Sequence, residues 1–412
     1  MKPRSPWWLI AGVFVVLAMS SGFGFHNLSV YMNALVAERS FSVADISAAV
    51  ALLFIVSGIA SVVVGRLIER HDVRLVMVAG AIVGAAALAS IGAASEVWQV
   101  WVLYAVFGVG NSGVSLVPAT TVVTRWFPGA NRSIAMSIAS TGLSAGGVLL
   151  APASAQVIHF FGVATAMPWF ALVYLAAIAP TALLLVRSWP PGRSTAGTSP
   201  PRDMGGDLSS RFFIGATVAY VALMAAQVGG IAHLFNHVAT VTDHIVGSTA
   251  VSLLALVSIF GRLLGGFLLA AGFPIRVLTA VSLAIQGLGL GVLGYAETPT
   301  TSLLGTAVFG LSVGNLLMLQ PLLLVQAFGV QHYPRLFAVS HACSTVGVAG
   351  GPLAMGIIHD ASSYAGSFGT AAVASAAALV VFIAAGALPR APEAVADRPR
   401  PSEYRRGPIR RR

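Results

Sequence analysis

Charge is what this sequence has least of. Only 9% of its 412 residues are Asp, Glu, Lys or Arg, and 57% are hydrophobic. A soluble domain carries about 25% charged residues, so a water-soluble globule is excluded and an all-α membrane protein is expected. Cysteine is almost absent as well. Cys343 stands alone, which rules out an intrachain disulfide and a cysteine-based metal site. Acids are scarcer than bases, 13 against 23. In so apolar a chain that excess is a signal of membrane topology rather than of nucleic-acid binding. No nucleophile–base pair, phosphate loop or metal cluster is found, so no enzyme activity, cofactor or nucleic-acid partner is expected. His233 and His237 have the i, i+4 spacing of two zinc ligands, but no acid or thiol accompanies them, and no metal is expected.

Long apolar runs are what the chain does have. Twelve are found, near 7–36, 43–66, 73–94, 97–123, 132–160, 163–187, 211–240, 246–272, 276–296, 299–327, 335–359 and 366–388. A bilayer crossing needs roughly 20 such residues. The first run is too long for a signal-peptide core and is expected to stay as a helix. Ser42 and Asp45 have the spacing of a cap that opens the second span.

An even number of spans puts both ends of the chain on one side. With that side cytoplasmic, 21 of the 23 Lys and Arg fall in cytoplasmic segments; the exceptions are Arg39 and Arg262. The opposite loops carry Glu38, Asp45, Glu96, Asp243, Glu297 and Asp360. This bias predicts a multi-pass cell-membrane protein, of the inner membrane in a bacterium, with cytoplasmic termini. It also leaves no acid deep in the bilayer.

Residues 187–211 read RSWPPGRSTAGTSPPRDMGGDLSSR. Pro, Gly, Ser and charge cannot build a core, so this is a linker. It divides the chain into an N-terminal six-helix half (1–187), a cytoplasmic linker (188–210), a second six-helix half (211–388) and a basic tail (389–412). The halves repeat. Aligning Ala49–Gly65 with Ala250–Gly266 matches seven of seventeen positions, among them Leu53/Leu254, Ser57/Ser258 and Gly65/Gly266. Ala105–Gly108 recurs as Ala307–Gly310, Gly110-Asn111 as Gly314-Asn315, Pro118 as Pro321 and Arg132 as Arg335, with offsets between 201 and 204. Two parallel six-span repeats with a site between them is a transporter architecture.

Arg262 is the charge that this architecture must explain. It lies inside the run VGSTAVSLLALVSIFGRLLGGFLLAAGF, where an arginine costs about 2.5–3.5 kcal/mol to insert. With no acid at that depth, an anion brought by the cargo is the expected partner. Snorkelling to the surface or capping of helix carbonyls are the structural alternatives. Other polar groups in hydrocarbon are His26, Asn27 and Tyr31 in the first span, Gln227, His233, Asn236 and His237 in the seventh, and His341 in the eleventh. Asn27 and Tyr31 share one helix face, as do His233, Asn236 and His237. Both faces are candidate cavity linings. With no deep carboxylate, His233, His237 and His26 are the candidate proton carriers, the unperturbed imidazole pKa being roughly 6.5.

Gly65-Arg66-Leu67-Ile68-Glu69-Arg70-His71-Asp72-Val73-Arg74 is similar to the inner-loop signature of the major facilitator superfamily. Glu69 takes the usual aspartate place and Asp72 a usual glycine. The resemblance implies that Gly65, Glu69, Arg70 and Arg74 latch the inner face. The chain most resembles the bacterial monocarboxylate-porter and oxalate/formate-antiporter branch. That likeness is carried by Arg125-Trp126-Phe127 with Arg132-Ser133-Ile134-Ala135, by Ala232-His233-Leu234 leading into Ser258–Gly266, and by Tyr333-Pro334-Arg335 with Gly350-Gly351-Pro352 and His359-Asp360. It implies a substrate-binding arginine at Arg262. Ser258 stands where animal porters carry an aspartate, and Asn27 approximately where they carry a lysine. The expected function is a secondary transporter, monomeric in the lipid bilayer, that moves small organic anions, monocarboxylates foremost, by alternating access. Its coupling is either proton symport or exchange for a counter-anion. The expected substrate contacts are Arg262, Asn27, Tyr31, His233, Asn236, His237 and Ser258. An efflux pump for neutral or amphiphilic compounds is the alternative.

Overall fold

In hydrocarbon only a helix or a closed barrel can satisfy its own backbone, and the sequence takes the first course. The computed structural model describes residues 6–187 and 204–389. The basic tail and most of the linker expected from the sequence lie outside the described residues. Every regular element among them is helical.

Ten of the helices are long and apolar enough to cross a membrane. Two of these are double length: Asn131–Leu184 with 54 residues and Pro299–Ala361 with 63. At 1.5 Å per residue they would run about 80 and 95 Å, against a hydrocarbon core of about 30 Å. Each is broken by one glycine at positive φ, Gly162 (φ 74°) and Gly329 (φ 81°). Only glycine adopts that conformation without strain, so each helix turns back and crosses twice. Twelve crossings result. The expected breaks near 161–162 and 328–334 fall where these glycines stand.

The first span is Trp7–Ser21, a π-helical turn Gly22–His26, and Leu28–Arg39. The second is Val43–Arg70, capped by Ser42, whose hydroxyl accepts from Asp45 N at 3.0 Å. The third is Val73–Ile91. The fourth is Val97–Ser112 followed by Leu116–Trp126. The fifth and sixth are the two limbs of the helix broken at Gly162. Arg211–Val241, His244–Ala270 and Ile275–Gly294 form the seventh, eighth and ninth. The tenth and eleventh are the limbs broken at Gly329, and Tyr364–Ala384 is the twelfth. The matched prolines behave differently. The fourth span is interrupted just before Pro118, which sits in the first turn of Leu116–Trp126, where its missing N–H has no partner to lose. Pro321 sits inside a continuous helix.

The sequence repeat is also a repeat of contacts. Gly146 of the fifth span lies against the Ala18 carbonyl of the first, and Gly347 of the eleventh against the Val221 carbonyl of the seventh. Gly108 packs on Leu53 O between spans four and two, as Gly310 packs on Leu254 O between spans ten and eight. A Cβ at Gly146 would meet main-chain atoms of Ala18 and Gly22, which cannot swing aside as a side chain can. Overpacking of this kind typically costs 1–3 kcal/mol and occasionally more. Gly146→Leu should therefore lower the thermal unfolding midpoint of the detergent-purified protein by about 1–4 °C. An unchanged midpoint would mean that this helix pair is not a tight contact.

Candidate functional site

Between the halves, the second span meets the eleventh and the eighth meets the fifth. Gly65 faces Ala338 Cβ at 2.7 Å and Pro334 O at 3.0 Å from an ideal Cβ, and Gly266 faces Ser137 and Ser133 in the same way. Gly65 and Gly266, Ala338 and Ser137, and Pro334 and Ser133 are each 201 residues apart. The two seams are thus related by the pseudo-twofold. Both lie toward the side on which the chain's ends emerge, called here the terminal side. The other bonds between halves lie there or near mid-membrane: Ser61 Oγ donates to Ala338 O (3.3 Å), and Tyr333 Oη to Thr120 Oγ1 (2.6 Å). Among the described residues no hydrogen bond or glycine contact joins the halves on the opposite side. The molecule is closed at its terminal side.

Arg262 is part of that closure. Its side chain is 1% exposed. Nε donates to Gly314 O (3.1 Å) in the tenth span, and Nη1 to Ser140 O (2.7 Å) and Ser144 Oγ (3.2 Å) in the fifth. The guanidinium therefore ties the eighth span to the other half. It neither snorkels nor meets a carboxylate. Its partners carry only partial charges, and Nη2 donates to none of the described residues. With Nη2 unengaged between the two halves, the planar fork can take a carboxylate in two parallel bonds only once Ser140 O and Ser144 Oγ release Nη1. Ser258, one turn earlier, is buried, but its Oγ donates to Ala255 O in its own helix and its carbonyl packs on Gly314. It supports the close approach of the eighth and tenth spans.

Several other expected contacts are placed elsewhere. Asn27 is fully buried within the N-terminal half, where Nδ2 donates to Tyr31 Oη (3.1 Å) and Ser154 Oγ (2.7 Å). Tyr31 stacks on Phe170 of the sixth span at 6.2 Å. This pair is a packed polar cluster inside one half and does not approach Arg262. His237 is turned toward the ninth and twelfth spans: Nε2 is 2.6 Å from Leu293 O, and the ring lies 4.7 Å from that of Phe368. His233 Nε2 is 3.0 Å from Pro352 O, with Tyr364 of the twelfth span beside its ring. Asn236 is exposed. The shared face of His233 and His237 thus points into the C-terminal half rather than toward Arg262. Sequence spacing defines a face but not its bearing, and the neighbouring helices set that. His26 bonds back to Ser21 and rests on Gly147 of the fifth span.

The inner-loop motif lies beside the other half at Gly65, which packs on Ala338 and Pro334 O. The charges acting on the Glu69 carboxylate are Arg335 first, then His332, Arg125 and Arg70; the first two belong to the C-terminal half. Asp72 caps the third span by accepting from Arg74 N (2.9 Å) and pairs with the Arg74 side chain at 2.6 Å. That explains an acid where the family pattern has glycine. His332 pairs with Asp207 at 2.8 Å, in the short helix Met204–Leu208 that precedes the seventh span.

The major facilitator superfamily model matches residues 14–331. The chain belongs to the major facilitator superfamily. Its members are transporters rather than enzymes, and the chain is a multi-pass membrane transporter of this family. Human monocarboxylate transporter 11 is similar to it, 30% identical over 331 residues that make up 75% of this chain and 67% of the human protein. The mouse protein of that name is 28% identical over 342 residues, 76% of this chain and 73% of its own. Among solved structures, the superfamily transporter FucP in its outward conformation aligns with a TM-score of 0.74 at 14% identity, covering 93% of this chain and 99% of that one. The human organic anion transporter MFSD10 aligns at 0.74 and 13%, covering 92% and 100%. At such identities these two speak for the fold alone.

Some of this was missed in the sequence. Ser140 and Ser144 were not expected beside Arg262, and Tyr333–Thr120 was not expected to bridge the halves. The 201-residue offset held a usable signal. It pairs Ser61 with Arg262 and Ser140 with His341, so the partner position of each seam residue could have been read from the other half.

Proposed function

We propose that this transporter carries small organic anions, monocarboxylates foremost, and that Arg262 holds the carboxylate. The observation behind this reading is a fully buried guanidinium between the halves whose hydrogen-bond partners are two carbonyls and one hydroxyl, with no acid among them. The likeness to monocarboxylate transporter 11 supports it. In the closed state the carbonyls hold the guanidinium; when the six-helix halves 1–187 and 211–388 part, a carboxylate replaces Ser140 O and Ser144. In the closed state Glu69 and Arg70 of the inner-loop motif latch the terminal side, with Arg74 held by Asp72 at the start of the third span and Gly65 and Gly266 permitting the close contact. The placement of 21 of 23 basic residues supports a cell-membrane location with cytoplasmic termini.

A lone anion moving against 100 mV costs about 2.3 kcal/mol. Symport with a proton or exchange for a second anion removes that cost. Purified protein in liposomes should take up a labelled monocarboxylate, and an opposing pH gradient should slow uptake if a proton moves with it. Indifference to the gradient, with acceleration by anion loaded on the far side, would assign exchange. No uptake of any small carboxylate, together with export of an amphiphilic dye, would overturn the anion reading in favour of efflux.

A further inference from the structure

We infer that His341 is the titrating member of the transport site, standing across the pseudo-twofold from the Arg262 seam; this rests on the anion reading above. The offset that relates the halves carries Arg262 onto Ser61 and Ser140 onto His341. Where one seam sets a guanidinium on the eighth span against the fifth, the other sets Ser61 on the second span against the eleventh. His341 is on that eleventh span at the depth of the Arg262 contact.

The bearing of its ring follows from its neighbours. Ala338 and Thr345 face the second span, and Ser340 and Ser344 bond Thr217 and Gln320 of the seventh and tenth. His341 lies between these two faces. Cys343, Val346, Gly350 and Leu353, all exposed, lie on the far side of the helix, at 100° per residue. The accessible surface that His341 keeps therefore opens between the halves and not to lipid. Its ring rests on Phe337 at 5.6 Å and makes no hydrogen bond among the described residues.

The titratable groups around it are few. The second span meets neighbouring turns of the eleventh, Gly58 against Thr345 and Ser61 against Ala338 O; its charges are at its two ends, Asp45 on one side and Arg66, Glu69 and Arg70 on the terminal side. The titratable groups of the seventh span are Arg211 at its terminal end, Tyr220, whose hydroxyl donates to Leu316 O, and His233 and His237, turned to Pro352 O and Leu293 O. The tenth presents Gln320 and no charge; the deep titratable groups of the first and eighth spans are His26, held by Ser21, and Arg262, held by Gly314, Ser140 and Ser144. On its own span Arg335 is at the terminal end.

Protonated, His341 supplies a second positive charge facing the opening. Loaded with one anion and one proton, the site has the same net charge as when empty, so the cargo crosses as a neutral acid. A proton is thus carried without any deep carboxylate, and His26, His233 and His237, engaged with backbone carbonyls, are not required for it.

Two measurements test this. Diethyl pyrocarbonate acylates neutral, water-accessible imidazoles. Applied to the purified protein, it should modify His341 and the exposed His244 while sparing the buried His237; an unreactive His341 beside a reactive His244 would overturn the inference without any substrate being known. In liposomes, initial uptake of labelled monocarboxylate by the wild type should rise as external pH falls from about 7.5 to 5.5, by up to tenfold per unit, the limit for one proton. His341→Gln should flatten that slope while keeping counterflow exchange of labelled for unlabelled anion, which moves no net proton. A wild-type slope in H341Q, or loss of its exchange at every pH, would overturn the titrating role and leave Arg262 untouched. A wild type that takes up no carboxylate removes the anion reading and this role with it.

Discussion

Arg262→Ala is expected to bring monocarboxylate uptake to background in liposomes that contain normally folded protein. Charge-assisted hydrogen bonds contribute about 1.5–3 kcal/mol each, so losing a two-bond fork weakens anion binding by more than about a hundredfold. The fold should survive. Ser140 O and Gly314 O are helix carbonyls, which keep the partner their own helix supplies. The substitution also removes a charge that costs about 2.5–3.5 kcal/mol to hold in the bilayer. A monodisperse, thermally stable protein that no longer transports therefore reports on the site. Arg262→Lys keeps the charge but not the planar fork, and should raise KM more than it lowers the maximal rate. Uptake at the wild-type rate by R262A would remove the carboxylate site from this position.

Gly266→Leu should have the next largest effect, by preventing terminal-side closure. A Cβ there already meets Ser137 Oγ and Cβ, and Ser133 O at 3.1 Å; three further carbons have nowhere to go while the fifth and eighth spans touch. Overpacking of 1–3 kcal/mol applied to one state of a two-state carrier shifts its population by about 5- to 150-fold. Transport needs both states, so turnover should fall by at least tenfold. The shift can be read directly. With Cys343 replaced by serine, cysteines introduced by Ser61→Cys and Ala338→Cys, at positions bonded across the other seam at 3.3 Å, should cross-link readily in the otherwise native protein and slowly in the Gly266→Leu background. Equal cross-linking would mean that this seam stays shut throughout the cycle.

Much of the architecture was legible because hydrocarbon is an unforgiving solvent. Apolar runs of bilayer length must be helices, and the basic residues cluster on one side of them. The breaks at Gly162 and Gly329 fell where the runs had been divided, since two crossings of about 30 Å cannot be one straight rod. The repeat was legible because one packing solution serves both halves: Gly65 and Gly266 are glycines for the same close approach. The site was less legible. Arg262 was found because a buried charge stands out against an apolar background. Asn27, Tyr31, His233 and His237 stand out equally, yet their partners are Ser154, Phe170, Pro352 and Leu293, all within their own half.

By itself the sequence determined a twelve-span, twice-repeated helical carrier with one deep cation and no deep anion, because composition and period respond directly to the bilayer. Only the tertiary structure decided which polar groups face the seams between the halves. A helix's rotation about its axis is set by all of its neighbours at once, and no single span encodes it. That rotation turned His237 toward the ninth span, sealed Asn27 inside one half, and brought Arg262 against Ser140.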